Sequence, residues 1–174
     1  MSTPVLLNYN ILIQKAQREI SRLREAEHNL DVTTALDHAL NAAFTVYHLL
    51  EWRENPTGLS KEELNDTLKE SGKITKSAHG LCKEVNSIEM HLLHGIVTHT
   101  KHVTVSKPIP NKDTAPDYNP AYEDNIEYIV TENGDRLVTE SGLSVITENS
   151  NIVIYFGNQI ALTVLEMAIK EFID

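Results

Sequence analysis

Cysteine is nearly missing from this chain: Cys82 stands alone among 174 residues. A single thiol excludes an internal disulfide and any zinc site built from several cysteines, and it is the usage of a reducing compartment. Aromatic residues are also few, with three Phe and one Trp beside six Tyr, so a core has to come from Leu, Ile, Val and Ala. The seven glycines fall singly, most of them at turns and helix ends, which leaves no glycine-rich loop to cradle a phosphate. Long apolar runs are lacking too. Val5–Leu7 and Ile11–Ile13 are separated by Asn8, Tyr9 and Asn10, far short of a membrane span, and no basic stretch precedes them as in a signal peptide. A cytoplasmic protein without membrane attachment is expected.

What is present suits one domain. A chain of this length buries roughly 70% of its accessible surface on folding, and 41% of its residues are hydrophobic. The net charge is −10, and it is uneven: residues 1–106 carry 11 Lys+Arg against 13 Asp+Glu, residues 107–174 only 4 against 12. Such a C-terminal surface repels phosphate backbones, so nucleic-acid binding through that half is not expected. It is either a solvated surface that keeps the chain dispersed or an acidic face for a basic protein partner.

Hydrophobic spacing predicts helices through residues 1–102. Ile13, Ala16, Ile20 and Leu23 recur at helical intervals from about Asn10 to His28, with charges on the other face. Asp31 is placed to cap a second helix carrying Leu36, Ala39, Leu40, Ala43, Phe44, Tyr47 and Leu50, which Asn55-Pro56 and Gly58 end. Ser60 to Glu63 reads as a capping box opening a short helix with Leu64 and Leu68. A fourth helix is expected from Ser77 or Gly80 to His99, with Leu81, Val85, Ile88, Leu92 and Ile96 inward. Residues 103–124 hold four of the six prolines and read as a long surface loop.

Three triplets then repeat at intervals of eight: Val130-Thr131-Glu132, Val138-Thr139-Glu140 and Ile146-Thr147-Glu148. Each precedes turn chemistry (Asn133-Gly134, Ser141-Gly142, Asn149-Ser150), and Asn-Gly between β-formers is a strong hairpin signal. Six strand residues and two turn residues per unit describe an antiparallel meander over 125–156, ending in Ile152–Tyr155. Glu132 and Glu148 would then share one edge and Glu140 the other. A last helix over 157–174 would pack through Ile160, Val164, Met167, Ala168 and Phe172. The expected fold is α+β, mainly α: an antiparallel bundle of about four helices, a four-strand antiparallel β-meander and a C-terminal helix.

Eight histidines make the helical half the place to look for chemistry. His91, His94, His99 and His102 fall within about 140° of helical arc. His91 and His94 are thus weak candidates for a metal, although no His-x-x-x-His or Glu-x-x-His pair supports them, and no cofactor is expected. Cys82 beside His79 suggests either a thiol lowered by a helix start or a small buried residue. Arg22 and His28, five residues between, have the spacing of a phosphate-holding arginine and a proton-moving histidine. The chain has only five arginines, at 18, 22, 24, 53 and 136.

The run Asp37-His38-Ala39-Leu40-Asn41 through Tyr47-His48-Leu49-Leu50-Glu51-Trp52 resembles the second helix of small bacterial and phage HEPN-like proteins, and Thr100-Lys101-His102 is similar to the Lys-His closing their later helix. The resemblance covers about residues 10–105. It implies a helical bundle, commonly dimeric, with nucleotide binding or metal-independent RNase activity through an Arg and a His on a late helix. Here that late helix has histidines and Lys101 but no arginine. Two expectations follow. One is a non-catalytic binding or regulatory protein, in bacterial or phage conflict, meeting a protein partner through Glu132, Asp135, Glu140 and Glu148. The other is a diverged RNase or nucleotide-acting enzyme using His102 with Lys101, or His28 with Arg22. A homodimer through the helices suits both.

Overall fold

A computed structural model describes residues 8–54, 78–82, 84–101, 120–140 and 143–173. The chain is mainly helical, with a small antiparallel sheet and a helix near the C-terminus. Helix α1 spans Tyr9–His28 and starts one residue before the sequence expectation, because the Asn8 side chain accepts the Ile11 amide at 3.1 Å. It ends in a tight left-handed turn: Leu30 has φ 58°, the Leu30 amide returns to the Glu27 carbonyl and that of Asp31 to the Ala26 carbonyl. Helix α2, Val32–Glu54, begins at once, with Asp31 accepting the Thr34 amide at 3.0 Å. That bond and the Thr34 hydroxyl hold the Asp31 carboxyl below its ordinary pKa. The reversal makes α1 and α2 an antiparallel pair, with Lys15 opposite Thr45 and Glu19 opposite His38.

Between Ala42 and Leu50 only Phe44 and His48 of α2 escape full burial, because every other layer leans on this helix. It touches α1, the short α3 (Ala78–Cys82), α4 (Ile88–Lys101), α5 (Ala161–Lys170) and strand β2 (Asn151–Phe156). The expected single helix from Ser77 or Gly80 to His99 is thus two pieces. Ser87 accepts the Met90 amide and starts α4 afresh, and Ile88, expected inward, is left exposed.

The sheet has three strands in the order β1-β2-β3, with β1 at Pro120–Asn125 and β3 at Gln159–Ile160. Pro120 to Asp124 are expected in the loop. They form an edge strand instead, where a leading proline leaves no ladder bond broken. β2 alternates, with Ile152, Ile154 and Phe156 buried against the helices. Gly157 (φ 61°) and Asn158 turn β2 into β3 before α5. Helix α5 buries Ala161, Val164, Leu165, Ala168 and Ile169. Ile160 and Met167, expected in that face, are exposed. The box at Ser60–Glu63 and the short helix after it lie outside the described residues.

The repeat does not make the expected run of meander strands. Amides of Leu137, Val145 and Ile129 donate to the carbonyls of Ile129, Leu137 and Val145 at 2.8, 2.8 and 3.0 Å, a cycle that returns to its start. A second set repeats it one step out: Thr131 to Asp135, Thr139 to Leu143 and Thr147 to Glu127, at 2.8, 2.7 and 2.8 Å. Single antiparallel bridges join Val130 to Arg136, Val138 to Ser144 and Ile146 to Tyr128. The three units close into a ring with approximate three-fold symmetry. A meander pairs each segment only with its chain neighbours; here the third returns to the first, so the expected sharing of an edge by Glu132 and Glu148 does not occur.

Candidate functional site

The ring is held in the loop of the β1–β2 hairpin, whose last paired residues are Asn125 and Asn151. Its corners explain half of the repeat. The Thr131 hydroxyl accepts the Asp135 amide at 3.2 Å, and the Thr139 hydroxyl accepts that of Leu143 at 3.1 Å. At the third corner the chain enters and leaves: Ser150 accepts the Glu127 amide at 3.0 Å while the Thr147 hydroxyl donates to the Glu127 carboxylate. Gly134 turns the first corner with φ 86°, left-handed backbone that suits glycine.

The other half of the repeat is unused by folding. Glu132, Glu140 and Glu148 are exposed, and among the described residues their carboxylates take no hydrogen bond or ion pair. Val130, Val138 and Leu143 are 55%, 53% and 68% exposed, with Ile129 and Leu137 also open. Five acidic residues (Glu127, Glu132, Asp135, Glu140, Glu148) lie between 126 and 150 against one base, Arg136. That guanidinium stacks 3.7 Å from the centre of the Tyr128 ring. The segment thus offers apolar side chains within an acidic surround. Glu132, Asp135, Glu140 and Glu148 are brought onto one small unit, Glu132 and Asp135 at its first corner and Glu140 and Glu148 at the other two. Sequence spacing revealed the corners, but nothing in it revealed that Val130, Val138 and Leu143 stay exposed.

The candidate catalytic residues are placed differently. Arg22 reaches Glu19 at 3.3 Å, while His28 is exposed at the end of α1. Six residues along a helix put them about 120° and 9 Å apart, so they do not converge. Lys101 is the last residue of α4; its side chain, and all of His102, lie outside the described residues. His91 bonds through Nε2 to the Cys82 carbonyl at 2.9 Å, whereas the buried His94 ring packs 5.5 Å from that of Tyr47. The two candidate ligands are thus engaged in different places, and among the described residues no three His, Cys, Asp or Glu group as a metal site. Cys82 is buried, its Sγ directed to the Met90 carbonyl, and burial pushes its pKa up to about 11, away from nucleophilic use.

Two further arrangements join residues from different elements. Glu19, almost buried between α1 and α2, accepts from Arg22 through one oxygen and meets His38 Nδ1 at 2.7 Å through the other. Glu27 is buried where α1 meets β2, and its Oε1 accepts the Ile154 amide at 2.9 Å. The i, i+3 relation of Glu19 and Arg22 is visible in the sequence; the cross-element partners are not. No described helix is long and apolar enough to cross a membrane. Compared with protein-family models, with curated proteins and with solved structures, the chain matches none.

Proposed function

We propose that this chain is a non-catalytic, HEPN-like binding or regulatory protein that works through protein–protein contacts in bacterial or phage conflict, as defence or counter-defence. Its helices are the scaffold, and the ring of residues 126–150 is the contact surface for a basic protein. One observation carries this: each of the three units presents an exposed glutamate, and two of them an exposed valine, that the ring's own hydrogen bonding does not use. Charge-complementary contacts of this kind steer encounter and fix partner choice. The test compares the wild-type chain with a Glu132→Lys, Glu140→Lys, Glu148→Lys variant as baits. Proteins held by the wild type alone, and released as salt rises, support the reading. Identical retention on both baits refutes it.

One observation favours the enzyme alternative, a diverged RNase. Glu19 brings an arginine and a histidine onto one carboxylate, and a carboxylate-oriented imidazole is a proton-transfer device. That reading requires metal-independent RNA cleavage by the purified chain, lost in His38→Ala with the helical circular dichroism intact. No cleavage across a broad RNA panel removes it.

A further inference from the structure

We infer that strand β1 takes up a fourth strand: an extended basic segment of a partner protein, running antiparallel, with a Lys or Arg opposite Asp124 and another opposite Glu123. The site is the open edge of the sheet. It shares no residue with the ring and stands without the ring reading.

The order β1-β2-β3 leaves β1 at an edge, and among the described residues no strand pairs with its outer side. Which backbone groups face outward follows from Ile154. Its amide donates to the Glu27 carboxylate and is thus turned away from β1. Residues directly opposite in an antiparallel ladder exchange both bonds or neither, so Tyr122, opposite Ile154, sends its own N–H and C=O to the open side. At a period of two, Asp124 does the same, and Pro120 offers a carbonyl there without a donor. The side chains are open as well. Pro120, Tyr122 and Asp124 lie on the face that β2 buries through Phe156, Ile154 and Ile152, yet all three are exposed, Tyr122 at 50%. Ala121 and Glu123, on the other face, are exposed too. β1 therefore overhangs the helical layer, open along its edge and on both faces.

Edge strands are commonly guarded by proline and charge, and Pro120, Glu123 and Asp124 guard this one. The guard has a sign. Glu123 and Asp124 stand on opposite faces, and the only base between Pro120 and Phe156, Arg136, lies over Tyr128. Acidic strands are repelled, and a second copy would bring the same two acids in a chain of net charge −10. A strand with a cation opposite each acid gains cross-strand pairs on both faces instead. The charges that exclude other strands thus select a basic one. Glu123 is already oriented for such a pair, since its Oε2 accepts the Tyr155 hydroxyl at 3.1 Å. Main-chain bonds supply affinity in strand addition, and the side chains opposite supply specificity.

The probe is a capped hexapeptide, Thr-Lys-Arg-Tyr-Thr-Val, whose Lys, Arg and Tyr come opposite Asp124, Glu123 and Tyr122. It is titrated into the full chain at low salt by calorimetry, and amide exchange locates the contact. N-methylation of its Lys or Tyr removes a donor aimed at β1 and places a methyl group where the strands meet, so binding should weaken about tenfold or more. N-methylation of its Arg, whose amide points away, should leave affinity within about threefold. Glu123→Gln and Asp124→Asn should each weaken binding about two- to fivefold, with melting curves confirming that both variants are folded. The Tyr122 and Asp124 amides should gain protection from exchange. Binding that ignores N-methylation of Lys and Tyr, or that protects residues 126–150 and not Tyr122 and Asp124, overturns the inference and leaves the ring reading standing. Absence of binding also overturns it, as does self-association of the chain through β1 in sedimentation, which would make a second copy the occupant.

Discussion

Replacing Glu27 tests how the sheet is fastened to the helices. Strand β2 pairs with β3 only through Tyr155 and Phe156, so the Ile154 amide on that side has no strand opposite. The Glu27 carboxylate takes the strand's place at 2.9 Å. Alanine removes the acceptor and leaves a buried amide unmatched, a cost of about 1–3 kcal/mol. For a chain of this size that lowers the melting temperature by about 2–12 °C. Glutamine keeps an oxygen on Ile154 and deletes the charge. Burial, the largest influence, raises the Glu27 pKa above its ordinary 4.5, opposed by the Ile154 bond and Arg24. The folded chain therefore holds this proton more tightly than the unfolded one. The resulting stability is complete below the ordinary value and is lost as pH rises through the folded-state pKa. Thermal melts of wild type, Glu27→Gln and Glu27→Ala from about pH 4 to pH 7 should show Gln gaining on wild type as pH rises, with Ala lower than Gln throughout. Ala as stable as Gln at every pH would refute the acceptor role, and a wild-type–Gln gap flat with pH would refute the burial argument.

Phe156→Ala empties a fully buried position where β2 meets the helices, and should cost about 3–5 kcal/mol in denaturant unfolding. Gly134→Ala meets no neighbouring atom, so its loss, about 1–2 kcal/mol, comes from the left-handed backbone alone; amide exchange should quicken in the ring while α1 and α2 keep their protection. Cys82, with its pKa near 11, should resist thiol reagents at pH 8 in the folded chain and react fully in denaturant; fast reaction in the native state would contradict its burial.

The helices were legible because their signals are local. Apolar spacing in α1 and the cap at Asp31 act within a few residues, and both appear in the structure. The break before α4 was local too, but Val85 and Ile88 continued the apolar pattern across Ser87 and masked the cap. Strand β1 was hidden because its pairing with β2 lies about thirty residues away, and four prolines read as loop. The eight-residue period was plain, yet a period fixes the length of a unit and not whether the last unit meets the first. Both closing bonds, Ile129 to Val145 and Thr147 to Glu127, are long-range. The candidate site was half legible for the same reason. Glutamates at corners follow from spacing, whereas exposure of Val130, Val138 and Leu143 depends on how the ring sits.

A closed cycle also changes what length variation this segment can tolerate. In an open hairpin ladder, losing one unit shortens the sheet and leaves the remainder paired. Here, removing residues 135–142 would take away Leu137, so the Ile129 carbonyl and the Val145 amide would lose their bonds together. The three units stand or fall as a set. Related chains should therefore carry all three or replace the segment outright, with the paired residues Asn125 and Asn151 marking the seam at which such an exchange leaves the helices undisturbed.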